Sequence, residues 1–248
     1  MRPYWPYAMA FTLTVTAFAA RAEDLVVIDS TAAEVKVGAV VASGASITVP
    51  DKARVVLAAE SGQIITLTGP FQGVPPSKAA DGASGRVLTA ISSLVKQSQN
   101  ETSSVGAVRA ADVKWRAEAA KSLQDVLAID VADGGDVCLY DANAAALTRN
   151  PASPPGTVTI HAMDGDAMAK FDWPKGALLQ PWPKQLPLGD GKAYVIEVSG
   201  QSEAAMTTVH ILPPDKASSD LQRAAQLADS GCDGQAKLLL KVMAKSAK

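Results

Sequence analysis

Between Val35 and Phe71 the apolar residues fall in short blocks: Ala39-Val40-Val41, Ile47-Thr48-Val49, Val55-Val56-Leu57 and Ile64-Ile65-Thr66-Leu67. The blocks are rich in β-branched side chains, which fit a pleated, half-buried surface and lose rotamer freedom in a helix. Ser43-Gly44, Pro50-Asp51 and Ser61-Gly62 stand between them and supply the positive or preset φ of tight turns. No helical period separates the blocks. The pattern predicts an antiparallel meander or sandwich, not βαβ units.

The period then changes. Residues 72–85, rich in Pro, Gly, Ala and Ser, read as a linker. Val87, Leu88, Ile91, Leu94 and Val95 share one helix face and predict a short helix over 86–97, packed against the first β module. Residues 112–123 suggest another, with Asp112 as N-cap and Trp115, Ala119 and Leu123 on one side.

A second β region opens near Asp125. Residues 126–131 and 136–140 flank Ala132-Asp133-Gly134-Gly135, which reads as a hairpin. Further strands are expected at 157–162, 167–171, 193–199 and 207–212, spaced as in a small, immunoglobulin-like sandwich. Pro174, Pro181, Pro183 and Pro187 argue against a central strand between them and predict an extended, edge-like crossover. From Ala217 the chain turns helical. Leu221, Ala224, Ala225 and Ala228 share a face, as do Ala236, Leu239, Leu240 and Met243. Residues 229–234 form the break, so the segment reads as an αα-hairpin.

Composition narrows the class. The chain has 248 residues, 48% hydrophobic and 19% charged, which is globular rather than disordered. Aromatics are 5%, so the core must rest on aliphatic residues. The formal charge is −2 and there is no basic patch, so nucleic acid is not an expected partner. Residues 1–22 read as a secretory leader: Arg2 in the n-region, an apolar stretch over 8–20, and Ala20-Arg21-Ala22 as cleavage site. The leader's apolar run is short for a bilayer span, and no other stretch approaches that length. A periplasmic location is expected, with no membrane span after cleavage. In an oxidising compartment the two cysteines, Cys138 and Cys232, are expected to pair.

The first β stretch also carries a resemblance. Val37-Gly38, Gly44, Ala53-Arg54-Val55-Val56-Leu57, Ser61-Gly62-Gln63 and Leu67 resemble the periplasmic FecR-type domain, over about a fifth of the chain. The resemblance implies a small β module. It does not extend to a cytoplasmic segment and transmembrane helix that hand a signal to a sigma factor, so it implies the module's fold without that signalling role. The expected fold class is mainly β with helical additions: a FecR-like β module (24–74), a linker with short helices (75–124), a second antiparallel, sandwich-like region (125–213) and a C-terminal helical hairpin (216–247).

Candidate chemistry is sparse. Trp173 and Trp182, each followed by Pro-Lys, could form an aromatic platform for a peptide or sugar, although such rings more often plug a sandwich core. Asp164 and Asp166 flank a glycine but lack the further oxygens that calcium needs. His161 and His210 lie in separate predicted strands without an identifiable third ligand. There is no Gly-x-Ser-x-Gly elbow and no phosphate-binding loop. The expectation is a non-catalytic envelope interaction or scaffold protein without a cofactor, binding a periplasmic or envelope protein or a glycan. A metal-dependent hydrolase, or a small-ligand-binding protein, is the alternative.

Overall fold

The computed structural model describes residues 23–77, 85–100, 115–214 and 217–247; the leader and Asp112 lie outside them. Fourteen strands in four sheets, joined by helices, make the described chain mainly β with helical additions. Among the described residues no helix is long and apolar enough to cross a membrane.

The first module comprises β1 (Leu25–Ser30), β2 (Val40–Val41), β3 (Ile47–Val49), β4 (Arg54–Ala59), β5 (Ile64–Thr68) and β6 (Phe71–Gly73). An antiparallel sheet runs β2-β1-β4-β5, and β3 and β6 pair separately. One face of the sheet, with Leu25, Val27, Val55 and Leu57, packs in a core with Ile47 and Val49. The other face, with Val26, Ile28, Val56 and Ala58, belongs to a different core, built mostly of helix. Burial on both faces makes β1 a continuous apolar run instead of an alternation, which is why the block pattern passed over it. Gly62 holds φ at +88°, and a Cβ there would stand 2.6 Å from the Cβ of Ser219. The glycine serves both the turn and a close contact.

The helices include α1 (Arg86–Asn100), α2 (Leu123–Leu127), α3 (Asp220–Asp229) and α4 (Asp233–Ser246), and residues 115–119, within the helix expected over 112–123, are helical too. Leu88, Ile91, Leu94 and Val95 of α1 are buried with Leu221, Ala224, Ala236, Leu239 and Met243 of the C-terminal pair. The Ser219 side chain caps α3 by accepting from the Gln222 N–H at 3.3 Å. Packed on the first sheet, the helices form a middle layer. Arg54 Nη1 donates to the Ala244 carbonyl at 3.4 Å and Thr66 Oγ1 to the Ala247 carbonyl at 2.8 Å, so the C-terminal end of α4 is tied to the first module. Segments at opposite ends of the sequence share one core.

Two expectations near the start of the second region are corrected. Val126 is helical, not extended: Ser122 and Asp125 form a capping box that starts α2, and only Ile129–Asp130 (β7) remains as strand. The Ala132–Gly135 segment is not a hairpin turn. It carries the chain from β7, which pairs in parallel with β9 (Ala146–Thr148), to β8 (Gly135–Leu139), which pairs in parallel with β14 (Ala205–Ile211). The glycines permit this transfer. A Cβ on Gly134 would lie 2.5 Å from the Met206 carbonyl oxygen, and Gly135 has φ +111°.

The remaining strands are β10 (Gly156–Ala162), β11 (Met168–Trp173), β12 (Leu179–Pro181) and β13 (Lys192–Val198). Sheets of order β11-β10-β13-β14-β8 and β12-β9-β7 enclose a core of Ile129, Leu139, Leu147, Val158, Ile160, Tyr194, Ile196 and Val209. The region is sandwich-like, and antiparallel except at the β7–β9 and β8–β14 pairs. The Pro-rich crossover supplies β12, an edge strand, as its prolines require.

Strand β8 ends its sheet, so one side of it has no strand partner. Gln235 of α4 fills that place. Its Oε1 accepts from the Cys138 N–H at 2.7 Å, and its Nε2 donates to the carbonyls of Cys138 at 3.1 Å and Leu127 at 3.2 Å. The buried side-chain amide stands in for a backbone neighbour. A buried polar group left without a partner costs about 1–3 kcal/mol. Gln235→Leu, which strands three such groups, is therefore expected to lower stability by about 3 kcal/mol in equilibrium urea unfolding. A change under about 1 kcal/mol, with native circular dichroism, would contradict this role.

Candidate functional site

The two candidate tryptophans are core residues. Trp173 is 1% exposed and Trp182 8%. Trp173 Nε1 donates to the Ala177 carbonyl at 2.9 Å, and the Trp182 indole donates to the Leu186 carbonyl. Trp182 also meets Tyr194 edge-on, with ring centroids 5.2 Å apart. Each polar tip is satisfied within its own segment, so the rings sink into the sandwich and offer no open platform. The geometry corrects the suggestion of a Trp surface at positions 173 and 182.

Cys138 on β8 and Cys232 at the start of α4 form a disulfide, with Cα atoms 5.9 Å apart. It staples the turn of the C-terminal helix pair to the second sheet and is the pairing expected of the two cysteines. Among the other candidates, His210 Nε2 lies 2.7 Å from Asp136 Oδ1, and Asp164 is bound by Lys192 at 2.8 Å. Lys192 holds the Asp164 carboxyl below the usual carboxylate range, chiefly through their hydrogen bond. Among the described residues, no three His, Cys, Asp or Glu side chains converge on a point where they could hold a metal.

A better-formed site lies beside Trp173, and the pattern analysis missed it. Thr148 ends β9, paired with Asp130 of β7, and Arg149 follows, 4% exposed. Its guanidinium lies over the Trp173 ring, 5.5 Å from the centroid, and donates to the Pro154 carbonyl. Arg149 lines a cleft of about 260 Å³ together with Trp115, Asp130, Asp133, Asn150 and Ser153.

Two arginines near this cleft, Arg149 buried and Arg116 half-buried, are treated differently by the fold. Arg116 donates to the Ala128 carbonyl at 2.9 Å, and its Nε lies 3.8 Å from Asp130 Oδ2. Burial pulls its pKa down while Asp130 and Asp133 push it back up. Arg149 is pulled below the usual range by burial, with no carboxylate to offset it. A buried cation is stable when paired, and a guanidinium is built to receive a carboxylate in two parallel hydrogen bonds. Arg149 is in no ion pair with a described residue, and its place on the cleft wall suits an incoming anionic group. The isolated arginine between Thr148 and Asn150 gave no hint of this, because its ring partner is twenty-four positions away and no spacing rule joins them. Comparison of the chain with protein-family models, curated proteins and solved structures found no match.

Proposed function

We propose that this chain is a non-catalytic interaction protein of the bacterial envelope that receives an acidic group of a partner protein in the Arg149 cleft. The observation that carries the reading is a buried guanidinium, without a carboxylate partner, on the wall of an open cleft. Size favours a side chain or chain terminus over a whole small molecule, because drug-sized ligand pockets run to about 300–1,000 Å³. Export is supported by the leader pattern of residues 1–22 and by the Cys138–Cys232 disulfide, a bond that persists in oxidising compartments. The FecR-like pattern of the first module is in keeping with an envelope protein. The hydrolase alternative draws less support, since two of its four groups, Asp164 and His210, are already engaged by Lys192 and Asp136.

The test places a photo-crosslinking residue at Asn150 on the cleft rim and irradiates intact cells. The expected result is one discrete adduct with an envelope protein, lost when Ser153→Trp fills the cleft, while thermal unfolding of the variant matches the parent. An adduct that survives Ser153→Trp, or no protein adduct at all, would reject the reading. A glycan adduct instead would redirect it to a sugar acid.

A further inference from the structure

The outer face of the five-stranded sheet is covered by helix near Cys138 and open over β11, β10, β13 and β14. Along β10 the odd positions point outward: Val158 and Ile160 are core residues, while Thr157, Thr159 and His161 are not. Met168 stands directly across from His161 on β11. Met163 continues the outward alternation beyond β10, and its N–H donates to the Ala193 carbonyl at 3.0 Å. Met163 is 59% exposed and Met168 50%. One hairpin therefore presents an imidazole and two thioethers on the same side.

We propose that the β10–β11 hairpin binds a soft monovalent cation, Cu(I) or Ag(I), through the His161 imidazole and the thioether sulfurs of Met163 and Met168. The spacing allows one ion to meet all three. Directly opposed cross-strand Cβ atoms lie about 4.5–5.5 Å apart. Positions i and i+2 of a strand are separated by about 6.6–6.8 Å. Methionine has three rotatable bonds to close such gaps. Soft sulfur donors select Cu(I) over hard cations, whereas oxygen donors select magnesium and calcium.

The competing donors are occupied. Both cysteines are in the disulfide, so no thiolate is available among the described residues. His210 is held by Asp136, while His161 is in no hydrogen bond or ion pair with a described residue. Met206 lies in the same row, beyond Val195, two strands from His161. That places it too far for the same ion and makes it an internal control. The neighbouring loop carries Asp164 and Asp166, which favour a cation, with Asp164 also paired to Lys192.

The test titrates the purified protein anaerobically with Cu(I) in competition with bicinchoninate, and with Ag(I) while following the methionine methyl resonances. One equivalent of Cu(I) should leave the competitor. The methyl signals of Met163 and Met168 should shift with Ag(I), while that of Met206 stays in place. Met163→Ala with Met168→Ala is expected to weaken Cu(I) binding at least 100-fold, His161→Ala to weaken it comparably, and His210→Ala to leave it unchanged. The two methionines are at the surface and His161 is half-buried, so unchanged thermal unfolding of each variant separates a lost site from a lost fold. Failure to withdraw Cu(I), or withdrawal unaffected by the double replacement, would overturn the proposal.

Discussion

Replacing Cys138 and Cys232 together by alanine is expected to lower the unfolding free energy by about 4 kcal/mol. The bridge closes a loop with a sequence separation of 94, and the chain-entropy model assigns such a loop about 4–5 kcal/mol through the unfolded state. Both cysteines are buried in the core that joins α1, α3 and α4 to the first sheet. Opening the bridge frees the helix turn from β8, leaving Gln235 to hold that edge alone. Equilibrium urea unfolding of the double variant and the parent is the measurement. A loss below about 1 kcal/mol would show that the helix pair needs no covalent anchor. Parent protein in reductant should move toward the variant, because reduction removes the same constraint.

Trp173→Ala should cost a similar amount, about 3–5 kcal/mol, as large-to-small changes of buried aromatics do. The ring fills the sandwich, its N–H is bound to Ala177, and Phe171 lies against it with centroids 6.3 Å apart. The truncation also removes the aromatic face beneath Arg149 and leaves that cation over a cavity. Trp173→Phe, which retains a ring for the guanidinium, should lose less than half as much. Thermal and urea unfolding of both variants checks the order. Equal losses would mean that a ring retained at this position, with its face toward Arg149, contributes nothing measurable.

Short strands bounded by glycine and proline were legible because local turn chemistry and β-branched runs specify them. Strands β3, β4, β5, β10, β11, β13 and β14 emerged close to their predicted bounds, and so did both C-terminal helices. What stayed hidden depends on partners distant in sequence. Strand β1 shows no alternation because helices added from the far end of the chain bury its second face. The Gly134-Gly135 pair reads locally as a hairpin, yet Gly134 is needed for a close approach to Met206 and Gly135 for its φ of +111°. The Ser122–Asp125 capping box was a local signal, outweighed by the β-branched look of Val126–Val131. Of the site residues, the tryptophans were conspicuous by type and their plugging of the sandwich core was the more common reading, whereas Arg149 had no local motif at all.

The sealing of β8 by Gln235 bears on how the chain is made. An uncovered strand edge invites pairing with other chains, and multi-element proteins are most aggregation-prone before their late segments arrive. Here the strand that needs cover is synthesised near the middle of the chain, while the amide that covers it sits on the last helix. A nascent chain therefore carries an open edge until α4 has emerged, and products truncated before α4 keep it open permanently. Such fragments belong to the species that holdase chaperones capture and proteases clear.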